Sequence, residues 1–445
     1  MTINIRFLLV VACAVALAAS ASARADEPLT LEACVSLALK NSLVLNMARE
    51  GARGAEARKH EALTGFLPKL STSYSYTRLN EEPSFYFPGF VGPPPIPGGY
   101  MVTGTINNYN WVIEARQPLF AGGGLWANYQ ASRIAENAAG VEITAKSLDV
   151  VRDVRIAYFN ILRSQRLVAA ARQAVEMLSA HSDVARNFHR VGLIPKNDLL
   201  QTEVELANGR QAAIRTQNAL ELAKAGLNTM LKRPVTAPVE VVDILDYSPF
   251  KQTFEECLDI ARQRRPELKL SELRANQAGQ MVRVAQSEFF PAVSLMGTYG
   301  RFGDTPSVSG TLYKDMESWQ VMAVASWNFW EWGKTKFRVD AGRAAENQAL
   351  DQVRELQDQM ALEIKNAFLT LQEAESQIAV SQKVIEQAEE NFRIAEARYK
   401  ERVARSTEVL DAQTLLTRAK SEYANALADY HIALARLERS MGTLP

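Results

Sequence analysis

The strongest pattern along the chain is a heptad spacing of hydrophobic residues in its second half. Large side chains recur every seven residues, and small ones recur three positions further on. The large set is Ile364, Leu371, Ile378, Ile385, Phe392 and Tyr399, and the small set is Ala367, Ala374, Ser381, Ala388 and Ala395. This spacing is typical of a helix that packs along its whole length against partner helices. No proline interrupts residues 333–444, so we predict a helix on the order of 100 Å long.

The first half of the chain carries the same two seams. One row is Val154, Ile161, Val168 and Val175, and the other is Ala157, Ser164, Ala171 and Leu178. Each long helix should end in a short break and return, because Gly192 and Pro195 interrupt the first one. The second break lacks glycine, and we therefore expect a tighter or stiffer turn there. The pattern predicts two long helical hairpins with tips at residues 191–196 and 402–406.

Period-two alternation predicts β-strands before each hairpin. In three segments apolar or aromatic residues alternate with mostly polar ones, and the three begin at Leu70, Tyr109 and Trp319. An apolar face with aromatics near its ends fits a membrane β-strand, although a half-buried strand in a soluble sheet has the same period. Glu114 and Arg116 lie on the polar face, which we expect to line a lumen. Loops at residues 80–108 and 302–318 separate the strands of each pair.

The chain is therefore a duplication. Phe66-Leu67-Pro68 returns as Phe289-Phe290-Pro291, and Leu31-Glu32-Ala33-Cys34-Val35 returns as Phe254-Glu255-Glu256-Cys257-Leu258. Repeated supersecondary units predict a repeated shape. The predicted segments are a signal peptide (1–25), an N-terminal segment (26–65), a strand pair (66–121), a hairpin (122–232), an inter-repeat segment (233–288), a second strand pair (289–332) and a second hairpin (333–445).

Composition narrows the class of protein. The 445 residues include 50 basic and 50 acidic ones, and this balance argues against a nucleic-acid partner. The start of the chain has a basic residue, a short apolar stretch and small residues, as in a secretory signal peptide. Cys13 loosely resembles a lipoprotein box, and Cys34 and Cys257 stand at matching repeat positions, either as buried thiols or as a disulfide.

Candidate catalytic and metal-binding chemistry is weak. The four histidines His60, His181, His189 and His431 are far apart and lack metal-ligand spacing. Gly333-Lys334-Thr335 imitates the end of a phosphate-binding loop, but Asn328 stands where its leading glycine should be. We predict neither a metal, a cofactor nor an enzymatic activity.

The set of motifs resembles the TolC family of outer-membrane efflux and secretion channels. The two Pro-containing strand entries, the segment from Arg398-Tyr399 through Glu408-Val409-Leu410-Asp411-Ala412-Gln413, the segment from Gly192 to Glu203 and the ending at residues 437–442 carry the resemblance. It implies a mixed fold of membrane β-barrel and α-helical coiled-coil barrel. In such a fold three chains give four strands each to a 12-stranded barrel and share a periplasmic α-helical tunnel. Independently, four strands are too few to close a barrel, so membrane strands would require an oligomer.

The resemblance also implies function, partners and sites. It implies passive export from a Gram-negative cell through a homotrimer in outer-membrane lipid, joined to a periplasmic adaptor and an inner-membrane transporter of the RND or ABC type. The implied docking residues are Val191, Gly192, Leu193, Val403 and Ala404. The implied periplasmic aperture contains Tyr399, Glu408 and Asp411, and we expect Arg405 to pair with a neighbouring tip acid.

Each of these residues also has an ordinary structural explanation. Glu408 and Asp411 share one face just inside a helix N-terminus, where carboxylates are favoured in any protein. Tyr399 continues the hydrophobic seam and could be simple core. Two other classes of protein stay open, a periplasmic adaptor with a helical hairpin and a purely structural coiled-coil protein.

Overall fold

A computed structural model describes residues 28–443. The predicted signal peptide and Cys13 lie outside the described residues. The helices are α1 (Leu31–Asn41), α2 (Leu43–Thr64), α3 (Gly124–Arg190), α4 (Lys196–Leu231), α5 (Phe254–Arg264), α6 (Pro266–Ser287), α7 (Lys334–Lys400) and α8 (Ser406–Met441). The strands are β1 (Lys69–Arg78), β2 (Ser84–Phe87), β3 (Gly99–Val102), β4 (Asn107–Ala121), β5 (Ala292–Gly303) and β6 (Glu317–Ser326).

The duplication extends to the lengths of the helices. In each half of the chain they run 11, 22, 67 and 36 residues in that order. At about 1.5 Å per residue, α3 and α7 are each on the order of 100 Å long. None of the helices between residues 28 and 443 combines the length and the hydropathy needed to cross a membrane.

Contacts divide the chain into two units. The first unit contains residues 50–140 and 269–354. The second unit contains the other described residues, which are 28–49, 141–268 and 355–443. The first unit holds all the strands, with the order β1-β4-β5-β6 in a four-stranded antiparallel sheet. Strands β2 and β3 form a separate small hairpin inside the predicted loop at residues 80–108.

The register of the sheet separates its two faces. Six aromatic residues share one face, because Tyr74 pairs with Trp111, Tyr76 with Tyr109, and Tyr299 with Trp319. The opposite face carries Ser71, Glu114, Thr298 and Gln320 in one cross-strand row. Each outer strand has one hydrogen-bonding edge without a partner in the described chain. Every residue of β1 is exposed.

The second unit is held by a hydrophobic core to which α1, α3, α4, α5, α7 and α8 contribute. Tyr158 of α3 is fully buried there, and its hydroxyl donates to the carbonyl of Val242 at 2.7 Å. Cys34 and Cys257 are buried in the same core as free thiols. Burial raises the pKa of the Cys34 thiol to about 11, so it stays protonated.

A network of ion pairs accompanies this core at the end of α8. Arg439 is 8% exposed, donates to Asp149 at 2.9 Å and also pairs with Glu267. Arg265 bonds Glu267 at 3.3 Å and Glu363 at 2.5 Å. Burial raises the pKa of Glu267, but Arg439 and Arg265 outweigh it and hold that pKa below its ordinary value. The network therefore joins α8 to the start of α6, to α3 and to α7.

We predict that Arg439→Met destabilises the fold by about 2 kcal/mol, because Asp149 and Glu267 both lose their bond to one buried cation. The expected loss is below that of a fully buried pair, since the carboxylates are about a quarter exposed. Urea unfolding in detergent, followed by far-UV circular dichroism, measures it. The matched control is Arg354→Met, which removes an exposed ion pair with Asp351 and should change stability by less than ~0.5 kcal/mol.

The pH dependence gives the same prediction a second readout. The folded-state pKa of Glu267 is lowered, so its contribution is present above the unfolded pKa and is lost as pH falls through the folded pKa. Arg439→Met should remove that part of the acid sensitivity. Equal midpoints for Arg439→Met and Arg354→Met at neutral pH would contradict the structural role of the network.

Candidate functional site at the helical tips

The two hairpins end in turns of the same construction. In the first, the amides of Gly192 and Leu193 donate to the carbonyls of His189 and Phe188, and in the second those of Arg402 and Val403 donate to Tyr399 and Arg398. Five residues separate the helices in both, at positions 191–195 and 401–405. The prediction of a tighter second turn is therefore wrong.

Arg402 adopts the backbone conformation that glycine adopts in the first turn. Its φ is +64°, against +77° for Gly192. A left-handed conformation costs a non-glycine residue about 1–2 kcal/mol, which a fixed turn can tolerate. The Arg402 guanidinium lies 6.0 Å from the centre of the Phe188 ring, and this cation–π contact across the two tips offsets part of the cost.

The residues predicted for docking lie on the surface of these turns. Val191, which precedes Gly192, is 65% exposed, and Val403, which follows Arg402 and corresponds to Leu193 of the first turn, is 64% exposed. Leu193 is also exposed, and Ala404 is half-buried. Apolar side chains held at an exposed turn suit contact with another protein.

Tyr399 is part of the core of the tip. It packs with Ala395, Val409 and Ala412, and its ring contacts those of His181 and Phe188. Burial raises the pKa of its phenol, although nearby Ser406 opposes the shift. Its hydroxyl makes no hydrogen bond of good geometry within residues 28–443.

The two predicted acids have different surroundings. Glu408 accepts from the backbone amide of Arg405 at 3.1 Å and pairs with Arg398 at 3.2 Å. Asp411 is exposed, and the described residues provide no cation for it. The ion pair of this tip thus uses Arg398, which sequence reasoning did not single out. The side chain of Arg405 is exposed and makes no ion pair inside the described chain, so its expected role stays a prediction.

A buried polar cluster lies behind Tyr399, and sequence reasoning did not find it. His181 Nε2 is 2.8 Å from Ser406 Oγ, which is 3.1 Å from Thr202 Oγ1. Burial lowers the pKa of His181 to about 4, although Glu396 opposes the shift. The available signal was Ser182, next to His181, which continues the Val154–Val175 seam with a polar residue. The cluster breaks the repeat, since the corresponding positions in the other copy are Asn391, Lys196 and Ala412.

The predicted lumen residues lie on the strand side away from the aromatics. Glu114 pairs in register with Ser71 and Thr298, and Arg116 with Lys69 and Met296. The described residues contain no group of side chains arranged to hold a metal ion.

Comparison with known proteins places this geometry in a family. The family model described as "Outer membrane efflux protein" matches residues 34–231 and 257–443. The chain belongs to this family. Its two matched segments coincide with the two copies of the repeat.

Relatives of the efflux protein support the assignment. The chain is 23% identical over 402 residues to outer membrane protein TolC of Escherichia coli K12, and the match covers 86% of this chain and 76% of TolC. It is 21% identical over 353 residues to the outer membrane efflux protein BepC of Brucella suis, covering 79% and 72%.

Solved structures share the fold. The CmeC outer membrane channel of Campylobacter jejuni superposes with a TM-score of 0.78 at 19% identity, covering 93% of this chain and 85% of CmeC. The open state of the Neisseria gonorrhoeae MtrE outer membrane channel gives 0.74 at 18% identity, covering 93% and 91%.

Membership answers the questions of class and place. The protein is an outer membrane efflux channel of the TolC family, with its helical part in the periplasm. This confirms the predicted fold class of long helices with a four-stranded antiparallel sheet, the predicted channel function and the predicted location. The family consists of channels, so the prediction that the chain is not an enzyme is also confirmed.

Proposed function

We propose that three copies of this channel form one conduit that ends a tripartite efflux pump or a type I secretion system. The observation that carries the proposal is the incompleteness of the single chain. The sheet has two free edges, at β1 and β6, and lipid offers no hydrogen-bonding partner to such edges. Edge pairing between copies removes both edges at once.

The helices support the same conclusion. One stripe of exposed apolar side chains lies along each of two helices. On α4 it consists of Leu200, Val204, Ile214 and Leu222, and on α7 of Leu362, Leu369, Val380 and Ile394. Two exposed apolar stripes on different helices of one chain suit a heterologous contact that closes into a ring. Pairing α4 of one copy with α7 of the next would bury both stripes.

The tips suit two further roles in this assembly. Val191, Gly192 and Leu193, with Val403 and Ala404, would dock a periplasmic adaptor, which in turn joins an inner-membrane transporter of the RND or ABC type. Because the two turns share one backbone geometry, we infer that both can receive the same kind of adaptor contact.

The second tip would also form the periplasmic aperture. Threefold symmetry would gather Glu408 and Asp411 into rings of carboxylates, which favour cations. Tyr399 would hold the tip in its closed packing, and exposed Arg405 is free to reach an acid of the neighbouring copy. Glu114 and Arg116 would face the lumen in the outer membrane.

The ring assignment predicts a loss of cation block. Glu408→Gln with Asp411→Asn should weaken block by a multivalent cation by roughly tenfold, because six charges leave one narrow site. Planar-bilayer recordings with a lanthanide ion measure it. The matched control is Glu255→Gln with Asp259→Asn, two exposed acids on the short helix α5. Block and cation selectivity that match wild type in both double variants would contradict the aperture assignment.

The docking assignment predicts site-specific capture of the adaptor. Val191→Cys and Val403→Cys, each with a thiol-reactive photocrosslinker, should join the channel to a periplasmic protein in whole cells. Background should be low, since Cys34 and Cys257 are buried. Lys269→Cys, exposed but distant in sequence from both tips, is the control and should capture less than about a tenth as much. Equal capture from Lys269→Cys, or none from either valine position, would contradict docking at the tips.

A further inference from the structure

One buried cluster joins all four long helices of the chain near the tips. His181 comes from α3, Thr202 from α4, Tyr399 from α7 and Ser406 from the first residue of α8. These side chains are 9%, 0%, 4% and 3% exposed. The His181 and Tyr399 rings are also in contact, with their centres 4.7 Å apart. His181 therefore takes part in the contact between the two hairpins at this level, together with the Thr202–Ser406 hydrogen bond.

The hydrogen bonds of the cluster can be satisfied when the imidazole is neutral. Thr202 donates its hydroxyl proton to the carbonyl of Asp198 at 2.9 Å. Ser406 is then left to donate to Thr202, and the Nε2–H of His181 donates to Ser406. In the other tautomer Ser406 would donate to Nε2 and Thr202 to Ser406, but the proton would then lie on Nδ1, which makes no hydrogen bond to the described residues. The tautomer with its proton on Nε2 therefore fits the cluster better. Each arrangement uses one proton per hydroxyl.

A protonated imidazole fits this place poorly. It would place a positive charge on a ring that is only 9% exposed, and its second N–H, at Nδ1, makes no hydrogen bond to the described residues. Its charge would also lie beside the N-terminus of α8, where the helix dipole is positive. Burial of the ring and its position beside the N-terminus of α8 therefore both favour the neutral imidazole.

The charged groups around the cluster only partly oppose this preference. On α7, Glu396 faces His181 but already pairs with Lys400 at 2.7 Å. On α4, Asp198 faces Tyr399. On α3, Asp183 pairs with Arg186 at 2.8 Å, and at the start of α8 Glu408 pairs with Arg398 while Arg405 is cationic. No carboxylate of these four helices bonds the imidazole within the described chain.

We propose that His181 is a pH-sensitive latch. Its neutral imidazole holds the start of α8 against α3 and α4, and its protonation releases the tip formed by α7 and α8. This rests on the proposed function only in assigning that tip to the aperture. In that setting acidification of the periplasm favours the open channel.

The direction and the size of the pH effect follow from the difference in the pKa of His181 between the packed and the released tip. The pKa of His181 is lowered from 6.5 to about 4 in the packed tip, whereas a released, solvated imidazole titrates near its ordinary value. The free-energy advantage of the packed tip over the released tip is thus fully present above about pH 6.5. It decreases as the pH falls from there toward 4. Between pH 7 and pH 5 the ratio of released to packed tip should rise roughly 20-fold.

Hydrogen exchange of the full-length channel in lipid nanodiscs tests the latch directly. Protection of the amides in residues 396–412, corrected for intrinsic exchange, should fall by roughly 20-fold from pH 7 to pH 5 in wild type. His181→Gln keeps a polar group but cannot titrate in this range, so its change should be less than about twofold. His189→Gln, at the end of the same helix, is the matched control and should respond as wild type does.

Ser406→Ala provides a second variant if His181→Gln does not fold. It removes the partner of the imidazole and should lower protection of the same segment already at pH 7. An equal pH response in wild type and His181→Gln would overturn the latch. Unchanged protection in Ser406→Ala at pH 7 would do the same.

Bilayer recordings separate the latch from the proposed aperture. If exchange depends on His181 and the open probability follows it, both stand. If exchange depends on His181 but the open probability does not follow, the latch stands and the aperture assignment fails. If cation block depends on Glu408 and Asp411 but the pH response of hydrogen exchange is the same in wild type and His181→Gln, the aperture assignment stands and the latch is overturned.

Discussion

Unpaired backbone groups at the two edges of the sheet are the constraint on which the rest of the molecule depends. In lipid a strand edge has no water to bond, and the cost of each unsatisfied group is several kcal/mol. The order β1-β4-β5-β6 leaves one such edge on each outer strand. In lipid, a chain with this sheet would need a neighbouring strand at both edges, as the proposed assembly supplies.

The helices show the same dependence through their packing. The small residues of the seams, such as Ala374, Ala388 and Ala395, are buried within the chain, which allows the helices to approach closely. Leu222 and Leu362 are instead exposed. In the proposed assembly, contact with a neighbouring copy would cover these exposed stripes on helices of up to 67 residues. Near the tips this apolar packing is interrupted by the buried polar cluster of His181, Thr202 and Ser406.

Much of the fold could be predicted from periodicity. Seven-residue spacing marked the helices from Val154 and from Ile364, and period two marked β1, β4 and β6, because these patterns record which faces are buried. Strands β2 and β3 were missed, since proline and glycine in residues 80–108 are typical of a loop and conceal a hairpin of two four-residue strands. The second turn was wrongly expected to be tighter, because the absence of glycine does not exclude a left-handed residue, and Arg402 occupies that conformation.

The site was less predictable for a physical reason. Tyr399, Glu408 and Asp411 stand in one segment, so a local motif identifies them. The cluster of His181, Thr202 and Ser406 is assembled from three helices, and no spacing along the chain encodes the distances between these side chains. Arg398 was missed in the same way, since its pairing with Glu408 depends on the turn between them.

The stoichiometry of the assembled channel tests the central claim most directly. Native mass spectrometry of the full-length protein, released from detergent micelles, gives the number of chains in the folded particle. We predict three copies of the chain in each particle. We also predict that conditions that separate the copies abolish the β-sheet signal in far-UV circular dichroism. A folded, stable monomer with its sheet intact would contradict the claim that the edges of this sheet must be paired between copies.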